Sequence, residues 1–342
     1  MFKTKRVLLF LVALLVTAVM LTGCGGAGSK TEQKKEADKK AEPAKAGGKY
    51  EITWGTAPAG GSWQVLGTAM LEDILKANPN YAGSTVPVGG AGNVMGVADG
   101  KLNIAFSLST TTGDAWDGLE PFKEKGQIRN IRLLATLFPE PTQFVVLANS
   151  DIDSFEKLKG RKVTPGPKGS AVETDSRKVL EVYNMSYKDI QPQFISYEEA
   201  AQQMLDGHID AIMYGAMIYP APGVVNIASQ KPIKMISMSD DKIKELMAKY
   251  KGFIPYTYQK GSYKGVDYEV KAVASMCNII ARDDVPDEVA YNVVKAIAEN
   301  FDRYATVTKA MTFFKKEDMA REVGIPMHPG ALKYYKEKGW IK

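Results

Sequence analysis

From residue 50 onward, short apolar runs alternate with amphipathic stretches, the pattern of an α/β protein. Residues 50–55 read as a strand. The turn Thr56-Ala57-Pro58-Ala59-Gly60-Gly61-Ser62 follows, and then a helix from Trp63 to about Ala77. The second unit places a strand over 85–88, the turn Gly89-Gly90-Ala91-Gly92, and a short helix toward Asp99. A third unit places a strand over 161–164, the turn Pro165-Gly166-Pro167-Lys168-Gly169-Ser170, and a helix to about Tyr183. Ligands of open α/β sheets settle at the carboxyl ends of strands. Glycine N–H groups at a helix start suit an anionic group there. Ser170-Ala171-Val172-Glu173 has the spacing of a capping box, which turns Glu173 back toward the helix start. Residues 286–304 read as one more helix, with Pro286 and the acidic pair Asp287-Glu288 at its beginning.

An internal echo suggests two lobes. Residues 145–152 and 278–285 each run as an apolar strand into Ala, two polar residues, Asp and a β-branched residue. Read as strands crossing between lobes, they put residues 50–143 and 278–342 in the first lobe and 144–277 in the second. The alternative is that strand-to-helix joints simply look alike.

The N-terminus changes the setting. Lys3, Lys5 and Arg6 precede an uncharged run that ends in Leu21-Thr22-Gly23-Cys24. This reads as a lipoprotein signal over residues 1–23, with Cys24 as the lipidated residue and an extracytoplasmic, membrane-anchored product. Residues 24–49 contain no large apolar side chain and read as a disordered Lys-rich tether. Residues 25–49 carry seven Lys against four acidic residues; the leader adds three more basic ones, so the overall +5 leaves about −1 for residues 50–342. A basic nucleic-acid surface is therefore unsupported, although the tether suits anionic headgroups. Cys277 has no partner once Cys24 is lipidated, and its apolar surroundings mark it as a small buried hydrophobe.

Chemistry is sparse. His208 sits in a helix-to-strand turn and His328 beside Pro329, neither in metal-ligand spacing. No nucleophile elbow and no P-loop occurs; Lys168-Gly169-Ser170 has the wrong order for the latter. We therefore expect no enzyme, no cofactor and no metal. Lys168 suits either a ligand carboxylate or solvent. Arg177 reads as a surface residue. Trp63 suits either core packing or a ring covering bound ligand. The aromatic cluster from Phe253 to Tyr268 reads as a packed, proline-punctuated connection.

Several of these segments, in this order, are similar to the TAXI class of solute receptors for TRAP transporters. They are 55–63, 89–93, Pro139-Glu140-Pro141, 166–173, 206–211 and 326–331. The resemblance implies a type II periplasmic-binding-protein fold: two α/β lobes joined by two crossing strands, with a ligand cleft between them. It implies an extracytoplasmic receptor that captures a small carboxylate-bearing metabolite, a glutamate-like amino acid or a dicarboxylate, and delivers it to a TRAP-type permease. It further implies ligand contacts at Gly60, Gly61, Ser62, Trp63, Gly90, Asn93, Ser109, Gln143, Gly169, Ser170, Tyr214, Gly215 and Ala216, to which the loop cation Lys168 is added. The chain departs from the class at Ala91 and Val172, where hydroxyls are common, at Ala171, where glycine is common, and at Trp63 and Met217, which are bulkier; this hints at a less polar solute. A monomer is expected. A receptor for an ABC permease, or a module presenting ligand to a sensory receptor, are the alternatives, and neighbouring genes discriminate them.

Overall fold

The computed structural model describes residues 48–57 and 62–342. The leader, Cys24, residues 24–47 of the tether, Gly60 and Gly61 lie outside the described residues. The chain begins with β1 (Tyr50–Gly55), α1 (Ser62–Ala77), β2 (Tyr81–Val86), α2 (Gly90–Ala98), β3 (Ile104–Leu108), α3 (Ser109–Asp117) and β4 (Ile131–Pro141). It continues through β5 (Gln143–Leu147), β6 (Lys162–Thr164), α4 (Ala171–Val182), β7 (Gln191–Pro192), α5 (Tyr197–Leu205) and β8 (Ala211–Tyr214). Next come α6 (Pro222–Gln230), β9 (Ile233–Met235), α7 (Asp240–Lys249) and β10 (Phe253–Tyr258). The last elements are β11 (Val270–Arg282), α8 (Asp287–Glu299), α9 (Phe301–Tyr304) and α10 (Pro329–Glu337). No helix among the described residues is long and apolar enough to cross a membrane.

Two sheets result. One runs β10-β11-β3-β1-β2, with β4 also paired to β11; the other runs β7-β6-β8-β5-β9. In the first, β1 lies parallel to β2 and β3, while β11 is antiparallel to β3, β4 and β10. In the second, β6 is parallel to β7 and β8, and β5 is antiparallel to β8 and β9. The second sheet shows the period of two expected of a strand. Phe144 and Val146 join one apolar cluster with Ala211 and Met213, whereas Val145 joins Ile212 and Tyr214 in another. Both faces are therefore buried beneath helices, and the sheet is mixed, half its pairings parallel and half antiparallel.

A separate core serves the first sheet, built from Ile52, Trp54, Leu66, Phe106, Leu137 and Ile279 among others. The chain changes core twice. Phe138 belongs to the first core and Phe144 to the second, so one passage occupies residues 139–143. On β11, Val270 to Val273 pack in the second lobe and Met276 to Ala281 in the first, so the other passage is Ala274 and Ser275. The passages pair: Ala274 stands opposite Pro141, and the Thr142 N–H donates to the Val273 carbonyl at 2.8 Å. The echoing segments lie on β5 and on the last part of β11, and the chain crosses just before each, because the hydrogen-bonded partners sit there.

Two element boundaries differ from the sequence expectation. The strand expected over 85–88 starts four residues earlier and ends at Val86, since β1 pairs residue by residue with Tyr81 through Val86. Gly83 is required there: a Cβ would stand 2.5 Å from the Ile52 carbonyl oxygen. The helix expected over 286–304 breaks at Asn300, whose amide donates back to the Ala296 carbonyl at 2.9 Å.

Candidate functional site

The carboxyl ends of the parallel strands in both sheets lead into helix starts near the crossing. In the first lobe, β3 passes directly into α3, while α1 and α2 begin at Ser62 and Gly90. Gly90 has φ +52°, with open space where a Cβ would stand, which leaves its backbone approachable. Asn93 is fully buried. Its Oδ1 accepts the Gly89 N–H at 3.0 Å, and its Nδ2 donates to the Thr56 and Phe106 carbonyls at 2.9 Å each. It thereby clamps the first three strand ends together, and its polar atoms are taken by the chain itself. Ser109 is in the same position: its hydroxyl donates to the Gly252 carbonyl at 2.6 Å and accepts the Met276 N–H at 2.8 Å. Gln143 accepts from the Tyr263 hydroxyl at 2.9 Å and donates toward the Ile218 carbonyl at 3.3 Å.

In the second lobe, Ser170 caps α4 by accepting the Glu173 N–H at 3.1 Å. Glu173 turns back, accepting the Gly169 N–H at 3.3 Å and the Tyr187 hydroxyl at 2.6 Å, so its carboxylate is spent on the helix start. The Ser170 hydroxyl also reaches the phenol of Tyr197, whose ring meets Tyr214 edge-on at 5.2 Å. Lys168 is exposed, 5.8 Å from the Phe194 ring centre, and forms no ion pair among the described residues. Gly215 fits where nothing larger does: a Cβ would lie 2.1 Å from the Ser176 nitrogen. Its carbonyl accepts from Thr142 at 2.7 Å, tying β8 to the passage, and Ala216 beside it is buried.

Between these parts stand two polar groupings made by tertiary contact. In one, Trp63 of α1 donates its indole N–H to the Glu140 carboxylate at 3.1 Å, while its ring packs on Phe106 at 5.7 Å. Glu140 is 8% exposed and opposes Ser275 across the paired passages. Burial pushes its carboxyl up to about 7, the Trp63 bond pulls the other way, and Asp175 adds to the rise. Glu140 in turn raises Tyr197, which burial pushes up to about 12 against the pull of its Ser170 bond. Trp63, Glu140, Ser170, Tyr197 and Tyr214 thus share one neighbourhood contributed by both lobes.

The other grouping bridges α3 and α4. Lys178 Nζ lies 2.6 Å from Asp114 Oδ2 and 3.0 Å from Asp175 Oδ1, and Thr110 donates to Asp175 Oδ2 at 2.7 Å. These charged side chains are 6% exposed or less. Burial lowers the Lys178 ammonium, but Asp175 and Asp114 outweigh it and hold the group above its ordinary value. Burial pushes Asp114 up to about 6 despite Lys178, with Asp175 reinforcing the rise. The lysine therefore stays charged, and Asp114 takes up the proton near neutrality.

At the other end of the joint the contacts are aromatic. Residues 217–219 follow the Gly215 turn, and Tyr219 meets Phe313 of the first lobe at 5.4 Å. A cavity of about 170 Å³ lies there, lined by Tyr219, Tyr256, Tyr258, Ser262 and Phe313 among others. A larger hollow, about 330 Å³, lies at Leu147, Ala148, Asn149, Lys231 and Pro232, on an outer end of the second sheet away from the strand ends that converge on the joint. We place the candidate site at the joint, where both lobes contribute polar side chains.

Other sequence candidates settle elsewhere. Cys277 is fully buried in the first core, and burial raises its thiol well above the ordinary value. His328 caps α10 by accepting the Gly330 N–H at 3.2 Å, and His208 is exposed in its turn. Among the described residues, no group of three or more His, Cys, Asp or Glu side chains could hold a metal ion. Asp175 and Lys178 stand three apart on a charge-rich helix and are buried against Asp114, with Tyr250 and Phe253 beside Lys178.

Comparison with known proteins agrees with this architecture. The model of the NMT1-like family matches residues 54–339. A TctC solute-binding protein from Polaromonas is 18% identical, with TM-score 0.50, over 85% of this chain and 99% of that one. The periplasmic aliphatic sulphonate binding protein SsuA from Escherichia coli is 15% identical over 84% and 83%, with TM-score 0.47. A putative L-cystine ABC transporter protein from Listeria monocytogenes is 15% identical over 80% and 99%, with TM-score 0.45. The fold is that of type II periplasmic-binding proteins.

Proposed function

Because the chain belongs to the NMT1-like family, we propose that it is an extracytoplasmic solute receptor, held to a membrane through lipid on Cys24. In this reading it captures a small carboxylate-bearing metabolite, a glutamate-like amino acid or a dicarboxylate, and delivers it to a TRAP-type permease. The observation that carries the reading is the joint itself: two lobes connected by two short passages, with polar side chains of both lobes facing one another at helix starts. Ser62, Trp63, Gly90, Gly169, Ser170 and Tyr214 supply the ligand contacts. Asn93, Ser109, Gln143 and Gly215 hold the surrounding backbone, and Ala216 packs beneath. A ligand spanning the joint favours the closed arrangement by its contacts with both lobes, and the closed form is what docks on the permease.

Thermal unfolding of the full-length protein against amino acids, dicarboxylates, 2-oxoacids and aromatic acids tests this. A ligand at about 100 times its dissociation constant adds about 2.7 kcal/mol. A panel in which no acid raises the midpoint refutes the carboxylate reading. Uptake in proteoliposomes holding a candidate permease then separates an ion-gradient partner from one that needs ATP.

A further inference from the structure

The receptor reading leaves Glu140 without a purpose. Its carboxyl is nine-tenths buried and accepts one hydrogen bond, from Trp63, at Oε1; Oε2 has no hydrogen-bond partner among the described residues. The titratable groups that act on it or feel it are Asp175 on α4, Tyr197 on α5 and Cys277 on β11, and none is a cation. Of the cations at the joint, Lys178 is already shared between Asp114 and Asp175, and Lys168 stands exposed beside Phe194. A buried carboxylate without counter-charge is costly, and it either takes up a proton or pairs with a cation within reach. Oε2 of Glu140 is therefore a carboxylate oxygen left open to a cation, beside strand ends suited to a ligand.

Resting on the receptor reading above, we propose that Glu140 recognises a protonated amine on the solute, which makes the solute an amino acid rather than a 2-oxoacid or dicarboxylate. The ammonium pairs with Oε2 of Glu140 while Trp63 keeps the other oxygen in place. The solute's carboxylate turns away, toward the helix starts at Ser62, Gly90 and Ser170. A dicarboxylate or 2-oxoacid in the same place sets a like charge or a carbonyl dipole against Glu140 and brings nothing to pair with it.

The test is calorimetric titration of the full-length protein with matched pairs: each proteinogenic α-amino acid and the 2-oxoacid with the same side chain, together with succinate and glutarate. The expected result is binding within the amino-acid series, with the matched 2-oxoacid at least about tenfold weaker, the low end for one hydrogen bond to a charged group. Affinity for the amino acid rises between about pH 6 and 8, because the pairing needs Glu140 ionised. Glu140→Gln, whose amide oxygen still accepts the Trp63 N–H, loses about 10- to 150-fold for the amino acid and leaves any 2-oxoacid binding unchanged. Binding of a 2-oxoacid or dicarboxylate as tightly as its amino-acid counterpart overturns this inference and leaves the receptor reading standing. Silence across both series removes both. The matched-pair comparison uses the unaltered protein and decides the matter even if the Gln variant fails to fold.

Discussion

Replacing Lys178 by Met tests the buried ion cluster that joins the lobes. Methionine keeps an unbranched chain in the space beside Tyr250 and Phe253, whose ring centres lie 5.4 and 5.6 Å from the ammonium. It removes the cation bonded to both Asp114 and Asp175, which are 2% exposed. Stripping one partner from a buried ion pair costs about 3–5 kcal/mol, a large part of the ~5–15 kcal/mol by which a protein is usually stable. The loss should depend on pH with a definite sign. Asp114 already sits near 6 in the folded protein, above its ordinary 3.8, so the folded state binds more protons and acid favours it. Without Lys178 that group rises further, and its protonation relieves the repulsion. Urea unfolding followed by tryptophan fluorescence should show a deficit of about 3–5 kcal/mol near pH 8 that shrinks to under about half near pH 5. Adding Asp114→Asn to Lys178→Met removes the uncompensated charge and should restore at least about 1.5 kcal/mol near pH 8. A deficit below about 1 kcal/mol, or one independent of pH, refutes the assignment of a buried cluster and assigns these side chains to solvent.

Three further outcomes are expected. Trp63→Phe leaves the Glu140 carboxyl without its donor and should cost about 1–3 kcal/mol near pH 8, and less near pH 5, where that carboxyl is protonated; thermal unfolding at the two pH values checks it. Gly215→Ala drives a methyl into the α4 backbone and should destabilise by about 1–3 kcal/mol or more, seen as a lowered unfolding midpoint. Burial lowers the His328 imidazole, although Asp287 opposes this, so the unfolded chain binds the proton more readily and His328 withdraws stability as pH falls below about 6.5. His328→Asn, which retains a capping acceptor, should flatten that limb of the stability–pH curve relative to the unaltered protein, and an unchanged limb would tell against the role.

The strand-turn-helix units were legible because their signals are local. Residues 50–55 carry the strand pattern and pair along their whole length, and Ser170 with Glu173 forms the cap that their spacing announces. The two lobes were legible from chain order and from the resemblance. The joint was not, because its chemistry is made by tertiary contact. Asp114 lies among serines and threonines, Lys178 on a charged helix, and Glu140 between two prolines. Nothing in these neighbourhoods announces burial. Asn93, Ser109 and Gln143 look like ligand donors by position, yet their polar atoms are bonded within the chain, largely to backbone groups and, for Gln143, also to the Tyr263 hydroxyl. Polarity at a strand end signals that something must be satisfied; it does not say whether ligand or backbone satisfies it.

The pairing of β3 with β11 has a consequence for the order in which the molecule assembles. Leu108 finds its partner Cys277 only after the whole second lobe has been made. A chain emerging from its N-terminus, from a ribosome or through a translocation channel, can complete the second sheet from residues 143–235 while one edge of β3 still waits. The first lobe therefore closes last, around a neighbour already formed. Until β11 arrives, an apolar strand edge is open to other chains, and the interval before Val270 emerges is when this protein is most exposed to misassembly.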